Sequence, residues 1–434
     1  MTTYWCEHAW LPGGLLAGVL VDATDTITAV STVDAAPAGA ERLSGVVLPG
    51  FANAHSHAFH RALRGRTHAD GGTFWTWRTA MYRLAARLDP DRYLTLARAV
   101  YAEMAVAGVT CVGEFHYVHH PAGGGRYADP NAMGEALRQA AADAGIRMTL
   151  LDTCYLAGGI DTPIAPEQAR FSDGSVAAWA DRIAGQRDAP HARVGAAIHS
   201  VRAVPRADLA GAVEAAGARP LHVHLSEQPA ENEACAAAYG RTPTELLHEA
   251  GALTPRTTAV HATHLSTQDI KLLGGAHTGV CFCPTTEADL ADGIGPAREL
   301  VDAGAPLSLG SDQHAVVDPL LEARALEHGE RLRTGERGRF GPRELVEALT
   351  SAGHAALGWP GGLLAPGAPA DLVAVRVDSV RTAGCRPDQV VLAATAADVH
   401  TVVAGGRVVA RDGRHERLGA VGPLLASAIE ELWA

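Results

Sequence analysis

Several classes of protein are excluded by what this chain has little of. No apolar run approaches the roughly twenty residues that cross a bilayer, and Met1 to Trp10 carries Glu7 and His8 where an export signal has a basic segment followed by an apolar one. A cytoplasmic protein without a membrane partner is expected. Basic charge is in deficit: 36 Lys and Arg stand against 48 Asp and Glu, giving a formal charge of −12 and a pI near 5.9. The electrostatic footprint of a nucleic-acid binder is therefore absent. Paired cysteines are absent as well. Cys281 and Cys283 form C-x-C rather than C-x-x-C, with no second pair, so the seven cysteines read as buried reduced thiols and not as a zinc ribbon. Aromatic residues supply only 5% of the chain, little for stacking on flat bases.

What remains is an ordinary globular composition, 47% apolar and 19% charged, in a 434-residue chain long enough for one large domain and a small one. The first fifty residues read as short strands separated by Pro12-Gly-Gly14 and Asp22-Ala-Thr-Asp25, and Asp371 to Val377 and Thr401 to Val409 repeat that character. A β-sandwich built from 1–50 and 361–420 is expected, with a terminal helix over 421–434. Between the two ends, strand-like and helix-like runs alternate eight times. The strand candidates are Phe51 to His55, Cys111 to His116, Met148 to Cys154, Val194 to His199, Leu221 to Leu225, Thr258 to His261, Thr278 to Cys283 and Leu307 to Gly310. Helices are expected over Asp91 to Ala107 and Asn131 to Ala144, each opened by Asp-Pro. Eight such units predict an α/β fold, a (β/α)8 barrel over 51–360, whose chemistry sits at the carboxyl ends of its strands. Two connections there are long, Gly65 to Arg78 and Leu156 to Gly174, as binding loops or lids are.

Polar side chains end several of these strands. His55 and His57 are two apart and face one side; His224 closes the fifth strand and Asp312 follows the eighth. Three imidazoles and a carboxylate leave a coordination position open, the set of a catalytic zinc, although iron suits it too. His222 shares a face with His224 but lies deeper, where a core histidine is the better reading. Glu227 and His261 have the character of catalysts beside the metal, a proton carrier and a charge-stabilising imidazole; an exposed glutamate and a fifth ligand are the alternatives. No lysine stands near the tip of the fourth strand, at His199-Ser-Val-Arg202, to bridge two metals, so one divalent ion is expected.

Taken together these residues resemble the amidohydrolase superfamily over nearly the whole chain. Gly362-Leu-Leu-Ala-Pro-Gly-Ala-Pro-Ala-Asp-Leu-Val373 is similar to that superfamily's return into its β-sandwich, and the set His55, His57, His224, Glu227, His261 and Asp312 to its mononuclear aminohydrolase branch, which releases ammonia from C–N bonds. Asn53-Ala-His-Ser-His-Ala-Phe-His-Arg61, Phe74-Trp-Thr-Trp-Arg78, Gly113-Glu-Phe-His-Tyr-Val-His-His120, His224-Leu-Ser-Glu-Gln228 and Cys283-Pro-Thr-Thr-Glu-Ala-Asp-Leu-Ala-Asp-Gly293 resemble the members acting on N-formimidoyl-L-glutamate in histidine degradation. The resemblance implies N-formyl-L-glutamate and ammonia as products, and implies that Tyr117, His199, Arg202 and Arg78 hold the two substrate carboxylates. Where those relatives have glutamine after H-S-H-A-F this chain has His60, whose contribution depends on tautomer. A small amidine dicarboxylate suits the residues: Glu227 and Asp312 offer negative charge to the amidine, while Arg202 and Arg78 offer bidentate donors to the carboxylates. Arg78 fits a surface salt bridge equally well. An aminohydrolase of a purine, pterin or triazine is the nearest alternative, with Phe74, Trp75 and Trp77 as stacking partners; a non-catalytic scaffold is a more distant one. A homodimer is the expected assembly.

Overall fold

The computed structural model describes residues 1–68 and 74–434. Gly71 and Gly72 of the first long connection, and the side chains of Phe74 and Trp75, lie outside the described residues.

Eight parallel strands form the barrel: Phe51–Ser56, Val109–His116, Arg147–Cys154, Ala192–Ile198, Leu221–Leu225, Thr257–His261, Gly279–Phe282 and Leu307–Leu309, each paired to the next in chain order. The second strand is buried at every position, as a strand enclosed on both faces must be. Closure comes from the turn after the last strand. Ser311 N and Asp312 N donate to His55 O at 3.1 and 3.0 Å, and His57 N returns a bond to Asp312 O at 3.1 Å. Gly310 permits this approach, because a Cβ there would stand 2.8 Å from His55. Closing the barrel is thus the same act as bringing His55 and His57 beside Asp312.

Helices cover the barrel. Pro90–Val106 starts where Asp89 accepts from Arg92 N at 2.9 Å, with proline in the first turn. Ala132–Ala144 starts without a side-chain cap from Asn131; Asp129 accepts the Asn131 N–H instead, at 2.9 Å. The C-terminal helix Val421–Trp433 packs on Pro90–Val106, and Trp433 Nε1 donates to Ala62 O at 3.0 Å, pinning the short turn that follows His57. Among the described residues no helix is long and apolar enough to cross a membrane.

Both chain ends build one sheet of eight strands, in the order Arg414–His415, Arg407–Arg411, Val399–Ala404, Leu372–Val375, Glu41–Pro49, Thr2–Leu11, Gly14–Ala23, Ile27–Thr32. It curls over a separate core containing Tyr4, Cys6, Val21, Leu43, Leu372 and Val403. Ile27 N bonds Ala368 O at 2.8 Å and Ala370 N bonds Asp25 O at 3.0 Å, joining the edge back to the segment before Leu372. The run from Thr401 to Val409 is a hairpin of two short strands. Its turn is Gly405-Gly406, both at positive φ (53° and 72°), and a Cβ on Gly406 would meet the carbonyl oxygen of Thr24.

Candidate metal centre and active site

At the carboxyl ends of the barrel strands, His55, His57, His224 and Asp312 present one donor atom each, all within 4.8 Å of one another and all buried. His55 Nε2 and His57 Nε2 stand 3.4 and 3.3 Å from Asp312 Oδ1, and His224 Nε2 stands 3.1 Å from His55 Nε2. The opposite ring nitrogens orient two of these imidazoles. His57 Nδ1 donates to Phe115 O and His224 Nδ1 to His199 O, both at 2.9 Å, so each Nε2 is left as a lone pair aimed inward. Lone pairs converging with a carboxylate on one point form a donor set that fits a divalent cation. Burial holds the His55 imidazole neutral, lowering its pKa to about 3. Burial pushes the Asp312 carboxyl up, yet the surrounding imidazoles of His55, His57 and His261 outweigh this and keep it well below its ordinary range.

The backbone at these tips is strained. Ser226, His261 and Asp312 all adopt positive φ (50°, 69° and 41°), a conformation that non-glycine residues hold only where their surroundings enforce it. Each of these turns aims a polar side chain into the same cavity.

His261 stands outside the four-donor set. Its Nε2 lies 3.8 Å from both Glu227 Oε1 and Asp312 Oδ2, and its Nδ1 lies 3.3 Å from Glu287 Oε1. His222 turns the other way, its Nε2 bonded to Ala356 O at 3.0 Å. The cavity, about 310 Å³, is lined by His57, His199, His224, Glu227, His261 and Asp312 on one side and by His60, Trp77, Arg78, Tyr117, Tyr155 and Phe171 on the other. His60 Nε2 and the Tyr117 hydroxyl are 2.9 Å apart, and burial keeps that imidazole neutral, its pKa well below the usual value. Arg78 lines the cavity, where its Nε donates to Tyr82 Oη at 2.5 Å and its Nη2 reaches Gly158 O at 3.5 Å.

Arg202 departs most from a simple two-ended pocket. Its Nη2 donates to Glu227 Oε2 at 3.3 Å, and its Nε stands 3.7 Å from Glu231 Oε2. The basic and acidic groups therefore meet in the middle of the cavity. Glu231 is invisible to a reading of strand ends because it sits in the helix Pro229–Tyr239; its spacing of four from Glu227 is the only hint the sequence offers. Burial raises its carboxyl above the ordinary value, against the pull of Arg202. The long third connection also contributes. Its short helix Pro166–Phe171 supplies Phe171 to the wall, and Gln168 Nε2 donates to the Tyr155 hydroxyl at 2.8 Å.

A model of the amidohydrolase family matches residues 46–409. The chain is 39% identical to the formimidoylglutamate deiminase of Pseudomonas aeruginosa, covering 96% of each protein, and 31% identical to the 8-oxoguanine deaminase of the same organism over 86% of this chain and 84% of that one. The crystal structure of an amidohydrolase from Brucella melitensis superposes with a TM-score of 0.93 at 32% identity, covering both chains completely.

Proposed function

The chain belongs to the amidohydrolase family, as a hydrolase of C–N bonds, and we propose that it deiminates N-formimidoyl-L-glutamate to N-formyl-L-glutamate and ammonia. The observation that carries this reading is Glu227, which stands between His261, itself 3.8 Å from Asp312 of the metal-binding set, and Arg202: 3.8 Å from His261 Nε2 on one side and 3.3 Å from Arg202 Nη2 on the other. A group that moves protons and a group that binds an acid lie within one small substrate's length.

A divalent cation held by His55, His57, His224 and Asp312, zinc by preference, supplies Lewis acidity and brings the ionisation of water toward neutral pH. Glu227 takes a proton from the attacking water as it adds to the formimidoyl carbon. His261, facing Glu227 and Asp312 through Nε2, stabilises the charge that develops on the added oxygen. Glu227 then delivers the proton to the terminal nitrogen, the C–N bond to that nitrogen breaks, and ammonia leaves. Arg202, Arg78, Tyr117 and His199 receive the carboxylates, and the Tyr117 hydroxyl is oriented by His60 in the place of a glutamine.

A second reading, hydrolytic deamination of a purine, is favoured by the aromatic wall of Trp77, Tyr82, Tyr117, Tyr155 and Phe171 and by the 8-oxoguanine deaminase relative. Arginines 78 and 202 speak against it, since both line the cavity and a neutral purine brings no carboxylate to them. Product analysis tests the proposal: N-formimidoyl-L-glutamate incubated with the zinc-loaded protein is expected to give N-formyl-L-glutamate and ammonia in equal amounts. Glutamate and formamide, or no product, would refute it.

A further inference from the structure

Behind His261, on the side away from the four-donor set, a second group of ligating side chains is gathered. One donor atom each from His261, Cys283 and Glu287 lies within 4.8 Å of the others, and all three residues are buried. His261 Nδ1 points into this group, 3.3 Å from Glu287 Oε1, while its Nε2 faces Glu227 and Asp312. Cys283 holds the glutamate in place, its N–H donating to Glu287 Oε1 at 2.8 Å. Around them the packing is apolar and tight, with Ala54, Val260 and Cys281 against Cys283.

We propose that His261 Nδ1, Cys283 Sγ and Glu287 form a second cation site, selective for borderline-soft divalent ions such as Zn²⁺ or Cd²⁺, whose occupation inhibits the enzyme. Nitrogen, thiolate and carboxylate are zinc's three protein donors, and a thiolate discriminates against magnesium and calcium. A cysteinate and a glutamate together balance the charge of one divalent ion, so the buried complex is neutral. The ion replaces two protons, that on His261 Nδ1 and that on the Cys283 thiol, and both pass to solvent. This site is unlike a lysine-bridged metal pair, since it shares no ligand with the first site and lies across the imidazole from it. It also has a way in: His261 lines the active-site cavity, and Glu287 lines a second cavity of about 390 Å³ that runs outward to Ile294 and Leu332.

Inhibition follows from the imidazole's two faces. Its Nε2 faces Glu227 and Asp312, each at 3.8 Å, while its Nδ1 faces the second site. An ion on Nδ1 holds the ring where the ion requires, so that Nε2 no longer follows the reacting centre. The inhibitory half of the proposal rests on the role given to His261 above; the binding half does not.

The test uses the protein carrying one zinc per chain, with the half-exposed Cys385 replaced by serine so that it does not compete for soft metals. Titration with Zn²⁺ or Cd²⁺ is expected to load a second ion per chain, with an ultraviolet thiolate-to-cadmium charge-transfer band, and to inhibit turnover of any substrate the parent accepts. Cys283→Ala is expected to keep the basal activity, to bind the second ion at least about tenfold more weakly, to lose the band and to resist excess zinc. Glu287→Gln, a second variant in case the alanine packs poorly, is expected to weaken binding as well. Saturation at one ion per chain, or a second ion bound equally well by Cys283→Ala, overturns the site. A second ion that binds through Cys283 without inhibiting overturns the inhibitory role, and counts against His261 as a catalyst and not against the choice of substrate.

Discussion

Arg202 and Glu227 are hydrogen-bonded to each other across the centre of the cavity, Nη2 to Oε2 at 3.3 Å, in a chain whose sequence separates them by 25 residues. Under the proposed function the bond couples recognition to chemistry: an incoming substrate carboxylate draws the arginine away and so frees the Glu227 oxygen that it covers.

Removing the carboxylate function of Glu227 tests the chemical half of that coupling. Glu227→Gln keeps the size of the side chain and an acceptor for Arg202 but cannot carry a proton. The expected result is a loss of about 10²- to 10⁴-fold in kcat with metal content and folding unchanged. Near-normal turnover in a metal-replete, folded variant would remove Glu227 from the role.

Arg202→Met tests the recognition half. Charge-assisted hydrogen bonds contribute about 1.5–3 kcal/mol, so kcat/KM for N-formimidoyl-L-glutamate is expected to fall by about 10- to 100-fold. The loss belongs mainly in KM, because the arginine touches the tail of the substrate and not the reacting carbon. Turnover of a formamidine without carboxylates should change little between parent and variant, and an equal loss for both compounds would make Arg202 merely structural.

Chelation should remove more than activity. Without the cation, three imidazoles and a carboxylate face one another in a buried site, two of the imidazoles with lone pairs turned inward. Calorimetry of the zinc-loaded and chelated forms is expected to show a lower Tm after chelation, since free metal at a thousandfold excess over Kd stabilises by about 4 kcal/mol. Identical melting curves would argue that the set does not hold a metal.

Acid lability is expected from a cluster beside the active site. Asp152 is buried, which alone raises a carboxyl, but the charge and hydrogen bonds of Arg182, with the imidazoles of His119 and His116, hold it down to about 2, from an ordinary value of 3.8. A pKa lowered in the folded state adds stability that is complete above the unfolded value and lost as pH falls from about 4 through about 2. Urea unfolding across that window should show the loss in the parent and a flatter profile in Asp152→Asn. The variant should already be less stable near neutral pH, by about 3 kcal/mol, because it leaves Arg182 buried with one partner fewer.

How much of this was legible in the sequence depends on whether a residue's role is set by its strand or by a distant neighbour. His55, His57, His224 and Asp312 each follow an apolar run, and strands that close a barrel bring their tips together, so the convergence was readable. The separation of His222 from His224 followed from depth along one strand. The positive φ of Ser226, His261 and Asp312 was not readable, because apolar alternation marks where a strand stops and says nothing about the turn after it. Glu231 and Glu287 were missed for a related reason: both are buried carboxylates on helices, and what makes each useful, Arg202 for one and His261 for the other, lies more than twenty residues away.

The measurement that bears most directly on the account is kcat/KM for N-formimidoyl-L-glutamate beside guanine and 8-oxoguanine, each followed by ammonia release with the zinc-loaded protein. The account predicts efficient turnover of the amidine dicarboxylate and at least about a hundredfold less for either purine, because only the former brings carboxylates to Arg202 and Arg78. Comparable or faster turnover of a purine would contradict it.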